Sequence, residues 1–303
     1  FTLVHVNSTV WNDMEAITVT DGDLGHLMVI SGALESWIVS SDMTPTLRRT
    51  VPADLAGEGP DDIVDLDYLP VVDELGWLEA RLLATGRTYL GEGYGGGLYD
   101  LGGGEGPTVV VHRARHAEGV EVLTAHGVLE PGIYWPNNGN IHRHDPATGE
   151  TLQVFGEYRP WALSLAIGDA AIYGDRSLFT VSCFGAACAP IHLERVAPGG
   201  EHVEALDLAG VDWQLATSPG MVFGRLVYGV DYGAVHRVLP VSHDGARSEA
   251  LLDHKTWIGT LRDLVFRTPS SDADGHPPGL YILEEVVFMQ PRVLRVYQDL
   301  SDA

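Results

Sequence analysis

The sequence predicts an all-β chain built from repeated four-stranded antiparallel units. Three observations carry that prediction. Short apolar runs alternate with turn residues along all 303 residues, and 36 Gly and 17 Pro supply the turns. One stretch, Pro131 to Phe155, spells out a complete three-strand meander. A set of three local features then recurs from one end of the chain to the other.

The meander is the clearest element. Ile133-Tyr134-Trp135 is an apolar aromatic strand that ends in a Pro-Asn-Asn-Gly turn. Asn140 to His144 follows as a second strand and runs into Asp145-Pro146-Ala147-Thr148-Gly149. That is a tight-turn sequence with Gly where positive φ is needed. Thr151 to Phe155 alternates as the third strand.

The recurring features, in chain order, are a Trp opening a short apolar strand, a turn followed by an apolar aromatic strand, and an apolar strand carrying Arg. The Trp residues are Trp11, Trp77, Trp161, Trp213 and Trp257, with one unit near Gly127 lacking it. The aromatic strands begin at Gly25, Gly97, Gly132, Ala171, Gly220 and Gly279. The Arg-bearing strands contain Arg49, Arg113, Arg143, Arg195, Arg237 and Arg295, and we assign these Arg to the third strand of each unit. Six units in this length give roughly 50 residues each, the size of a four-stranded propeller unit. A lone four-stranded sheet cannot cover both faces, whereas radial stacking covers them and leaves only short edges. The prediction is therefore a single six-bladed β-propeller over residues 1–303. The last unit ends after two strands, near Leu300. Residues 1–10 resemble the segment before Trp213 and are predicted to complete the last unit as its outer strand.

Composition narrows the function. The net charge of −24 repels phosphate backbones and anionic lipid, which excludes nucleic acid as a partner. No run of 18 apolar residues exists to span a membrane as a helix. Cys183 and Cys188 stand as C-x4-C in a Gly/Ala-rich loop, and a local disulfide in an exported, periplasmic or extracellular, protein is the expectation. A monomer is expected. G-x-S-x-G, H-E-x-x-H and a Cys/His nucleophile pattern are all missing.

Ile133-Tyr134-Trp135 followed by Ile141-His142-Arg143 resembles the strand pair of YWTD-type six-bladed propellers, an architecture shared with NHL-like and lactonase-like propellers. Only this one unit matches well, and Pro136 and Asn137 stand where Thr and Asp would be. Asp145 to Glu150 resembles the hairpin turn of propellers of the quinoprotein, lyase and lactonase kind. The resemblance implies a ligand at the loop face of a central channel. It also implies, as an alternative, a metal-assisted hydrolase or lyase using channel carboxylates, with Glu15 standing where such lactonases carry a Glu.

Inner strands line a propeller's channel, so polar residues just after each Trp are the site candidates: Asp13, Glu15, Glu79, Arg81, Ser164, Gln214, Thr217, Arg262 and Asp263. Carboxylates with Arg suit a polar ligand such as a small molecule, peptide or glycan. Glu15 and Glu79 could supply oxygen ligands to Ca²⁺. His112, His142 and His236 sit at equivalent repeat positions beside Arg and are read as structural, as are the five Trp, read as wedges between units. The Gly-rich run Gly91 to Gly97 lacks the strand and helix context of a phosphate loop.

Overall fold

The structure is a computed structural model that describes residues 2–11, 14–19, 28–32, 35–39, 45–50, 62–72, 74–87, 96–101, 108–114, 119–124, 129–137, 140–155, 161–168, 170–174, 178–183, 191–196, 202–207, 219–222, 225–230, 234–238, 248–253, 260–267, 279–285 and 292–298. Side chains are described chiefly between residues 63 and 183.

The elements follow the chain. β1 spans Thr2–Trp11. β2 (Met14–Val19), β3 (Met28–Gly32), β4 (Glu35–Val39) and β5 (Pro45–Thr50) form sheet one. β6 (Asp62–Val72), β7 (Leu78–Arg87), β8 (Gly96–Asp100) and β9 (Thr108–Ala114) form sheet two. β10 (Glu121–Leu123), β11 (Gly132–Asn137), β12 (Asn140–His144) and β13 (Thr151–Phe155) form sheet three. β14 (Trp161–Ile167), β15 (Leu178–Cys183), β16 (Ile191–Val196) and β17 (His202–Asp207) form sheet four, with the one-turn helix α1 (Ala170–Tyr173) between its first two strands. β18 (Pro219–Val222), β19 (Arg225–Val230), β20 (Ala234–Val238) and β21 (Ser248–Asp253) form sheet five. β22 (Thr260–Arg267), β23 (Gly279–Glu285) and β24 (Arg292–Gln298) form sheet six together with β1, in the order β1-β24-β23-β22. Every pairing is antiparallel between sequential strands, except that β1 pairs with β24, from Thr2 opposite Gln298 to Trp11 opposite Arg292. The chain is thus all-β, in antiparallel sheets of four strands among the described residues.

First strands touch first strands. β2 lies against β6 and β22, β10 against β6 and β14, and β18 against β14 and β22. Between sheets two and three, Leu69, Leu83, Leu98, Val120, Ile133 and Trp135 form one buried cluster. Between sheets three and four, Leu129, Tyr134, Ile141, Leu165 and Leu178 form another. Successive side chains of a strand point to opposite faces, so Ile133 and Trp135 serve the first cluster and Tyr134 the second. Sheet three is covered on both faces, which is why β11 is buried from Gly132 to Pro136 without a polar face.

The meander folds as its sequence predicts. Ile133 faces His144 and Tyr134 faces Arg143; Arg143 in turn faces Leu152. Asp145 closes the β12–β13 turn: its carboxylate accepts from Ala147 N at 2.8 Å and Thr148 Oγ1 at 2.9 Å, and Gly149 follows at φ 75°. These bonds hold the Asp145 carboxyl below the usual range, the Ala147 N–H contributing most.

Several sequence expectations are corrected. Trp77 precedes β7, a second strand, and is 71% exposed, so it is not a wedge between sheets. The first strand of that sheet is β6, which carries no Trp. Arg49 and Arg113 lie on fourth strands, β5 and β9, whereas Arg143, Arg195, Arg237 and Arg295 do lie on third strands. His112 likewise lies on β9 and is not equivalent to His142 and His236. Gly97-Leu98-Tyr99 is on a third strand and Gly220-Met221-Val222 on a first. Ala171-Ile172-Tyr173 belongs to α1, not to a strand. The helix sets the Tyr173 ring edge-on to Phe179, 4.9 Å between centroids, directly over Gly168. A Cβ at Gly168 would meet that ring at 2.6 Å, so only glycine admits the contact. Trp213 and Trp257 lie outside the described residues.

Candidate functional site

Four of the six first strands, β2, β6, β14 and β22, share a shift in pairing with their second strands. In β2, Met14 faces Gly32 and Ala16 faces Ser31, leaving Glu15 as an extra residue. The same shift leaves Val64 extra in β6, Leu163 in β14 and Arg262 in β22. An extra residue of this kind bends its strand, sharpens the local twist and re-aims side chains. Burial supports the alignment. Two positions after each extra residue stand Ile17, Leu66 and Leu165, exposed by 3%, 4% and 3%. One position after stand Ala16, Asp65, Ser164 and Asp263, and three positions after stand Thr18, Asp67, Ala166 and Val265.

Sheet two shows what polar residues at these positions do. Asp65 Oδ1 accepts from Leu66 N at 2.9 Å, and its Oδ2 accepts from Val120 N at 2.8 Å. Asp67 repeats the pattern with Tyr68 N at 2.7 Å and Val122 N at 2.6 Å. Asp67 therefore joins β6 to β10, and Asp65 joins β6 to Val120, the residue just before β10, each satisfying backbone donors on both sides. Burial pushes the Asp67 carboxyl up to about 7, against the opposing pull of the Tyr68 and Val122 N–H groups.

The predicted site residues separate into three groups. Glu15 and Arg262 are the extra residues of β2 and β22, strands that lie against each other, and Ser164 and Asp263 stand one position after the extra residues of β14 and β22. Glu79 and Arg81 are corrected: both sit on β7, a second strand, and both are exposed. Arg81 is committed to an ion pair with the buried carboxylate of Asp100 at the end of β8. Glu79 therefore sits on a second strand, whereas Glu15 sits on a first. Asp13, Gln214, Thr217 and Cys188 lie outside the described residues; Cys183 ends β15 opposite Trp161 and Ile191. Among the described residues no three His, Cys, Asp or Glu converge as a metal-ligand set.

Two histidines have packing partners. His144 is buried, with Nδ1 2.9 Å from Thr151 Oγ1, and His142 lies 5.3 Å from Trp135 between ring centroids. Burial lowers the pKa of both rings.

Asp65 and Asp67 escaped the sequence reading because Trp77 drew attention to β7. The signal was present in Asp65-Leu66-Asp67-Tyr68-Leu69, where acids alternate with apolar residues as they do on one face of a strand.

No family model matches this sequence, and no curated protein matches it. Solved structures do match in fold. An auxiliary nutrient binding protein from Bacteroides thetaiotaomicron VPI-5482 aligns at TM-score 0.57 and 9% identity, covering 95% of this chain and 70% of its own. BBS1N in complex with ARL6DN aligns at TM-score 0.50 and 13% identity, covering 91% and 76%. A luciferin-regenerating enzyme aligns at TM-score 0.45 and 14% identity, covering 96% and 80%. The fold is propeller-like.

Proposed function

We propose that the six sheets are the blades of one propeller ring, closed by β1 completing the last sheet, and that the chain is a binding protein. Its ligand is a polar small molecule, peptide or glycan held at the end of the channel where the first strands carry their extra residues. Glu15 and Arg262 are the primary contacts, with Ser164 and Asp263 beside them. The observation that carries this reading is the shared shift: Glu15 and Arg262 are the extra residues of β2 and β22, strands that touch each other, and Ser164 and Asp263 stand one position after the extra residues of β14 and β22. Opposite charges on β2 and β22 suit a ligand with both donors and acceptors. The fold likeness to a nutrient binding protein agrees with a ligand-binding role. Export, and a Cys183–Cys188 disulfide in the exported protein, belong to the same proposal; intact mass before and after reduction checks the bond.

The test is a thermal-shift screen of the full chain against sugars, oligosaccharides, amino acids and short peptides, followed by titration of the best hit. Glu15→Gln and Arg262→Ala should each weaken that hit by about tenfold or more, as expected when a charged hydrogen-bond partner is removed. A hit that binds the double variant as tightly as the parent would remove the site from these strands.

A further inference from the structure

The first hairpin of sheet two runs past its sheet. The last β7–β8 pair is Leu83 with Asp100, and Leu101 N donates to Leu82 O at 2.7 Å. Beyond it, among the described residues, β7 pairs with β6 alone: Arg81 with Leu69, Ala80 with Pro70, Glu79 with Val71, and Leu78 with Val72. At about 3.4 Å per residue, those four pairs carry a two-stranded tongue roughly 14 Å past the third strand.

The tongue has two unlike faces. Leu69 and Val71 turn into the core cluster between sheets two and three. Val72 and Leu78, directly opposite one another, are 67% and 41% exposed, and the tip adds Leu75 at 82% and Trp77 at 71%. These are four of the five large apolar side chains found exposed among the described residues, gathered within seven positions. Scattered apolar residues on a surface are ordinary; a cluster containing Trp at the end of a hairpin that runs past its sheet is the pattern of a contact surface.

We propose that this tongue docks into a protein partner offering an apolar pocket rimmed by Lys or Arg. The charge argument selects that partner. Glu74 and Glu79 stand on either side of the apolar tip in sequence and are exposed, Glu79 opposite Val71, and Asp73 adjoins Glu74 in sequence. Among the described side chains, the guanidinium on the same strand as Glu79, that of Arg81, is held by Asp100. A second copy of this chain would bring identical acids against the tip and a net charge of −24 against −24. An anionic lipid surface is repelled for the same electrostatic reason. Trp77 fills the pocket, Leu75, Val72 and Leu78 exclude water around it, and the two Glu meet the basic rim.

A phage-displayed random peptide library selected on the full chain, with a Leu75→Ala/Trp77→Ala variant as counter-target, tests the assignment. Enriched peptides should combine aromatic or aliphatic residues with Lys or Arg. Their binding by fluorescence anisotropy should fall about tenfold or more in Trp77→Ala. It should also fall in Glu74→Gln/Glu79→Gln and at raised salt. The melting temperature of Trp77→Ala, expected at the parent value, certifies that the variant is folded. The proposal is overturned if no tongue-dependent peptide is enriched, if the enriched peptides lack basic residues, or if binding survives in Trp77→Ala. It is overturned in favour of self-association if light scattering finds a dimer that Trp77→Ala abolishes. Binding to phosphatidylcholine vesicles that depends on Trp77 would overturn it in favour of a lipid surface.

Discussion

Sheets two and three are neighbours with the same strand order, and they share a buried cluster and two carboxylate bridges. They differ in what their first two strands do. In sheet three, β10 has three residues and β11 six, and both faces of β11 are covered. In sheet two, β6 has eleven residues and β7 ten, with their last pairs extending past β8. The same four-stranded unit is thus used once wholly as packing material and once as packing material with a projection. Trp135 and Trp77 mark the contrast: the first is fully buried between two sheets and the second stands in solvent on a hairpin tip.

The contrast can be broken or sharpened by experiment. Removal of residues 2–11 should have the largest effect, because it strips the whole β1–β24 pairing from sheet six. A sharply lowered melting temperature or loss of cooperative unfolding is expected in calorimetry, and an unchanged melt would show that β1 is dispensable. Next comes Trp135→Ala, expected to cost about 3–5 kcal/mol in urea unfolding because it opens a cavity between two sheets. Asp65→Ala leaves the Leu66 and Val120 N–H groups without their acceptor and should cost about 1–3 kcal/mol by the same measurement.

Asp67 supplies a pH test. Its folded-state pKa is raised to about 7 from an ordinary 3.8, so the folded protein holds a proton that the unfolded chain has released. Its contribution is fully present below about pH 4 and is lost as pH rises through about 7. The stability difference between the parent and Asp67→Asn should therefore change across that interval and be flat outside it, as read by urea midpoints at stepped pH. The smallest effect is Trp77→Ala, which should leave stability within about 0.5 kcal/mol because the side chain is mostly solvated. A loss as large as that at Trp135 would erase the distinction between the two sheets.

Much of sheet three was legible in the sequence because its signals are local. Asp145, Thr148 and Gly149 build their turn from neighbouring atoms, and β11 to β13 alternate around it. The four-stranded unit was also legible, as was the pairing partner of the first residues. The strand order inside sheet two was not. Trp161 does open a first strand, β14, but Trp77 precedes a second strand, β7, and Trp11 ends β1, the outer strand of sheet six. The common register of Glu15, Ser164, Arg262 and Asp263 was legible only as a list of polar residues near Trp. What aligns them is a shift in strand pairing, and pairing is a property of two strands at once, invisible in either alone. Asp65 and Asp67 likewise make sense only once Val120 and Val122 stand beside them, 55 residues away in sequence.

The pairing of Thr2–Trp11 with Arg292–Gln298 has a consequence for how the chain is made. β1 is synthesised before the strands of the five other sheets and waits for β24, which follows all of them, while those sheets are free to assemble. Until then the outermost edge of β24 has yet to exist and β1 trails as an open, pairing-competent ribbon, which is the moment at which this molecule is most exposed to joining with another nascent copy.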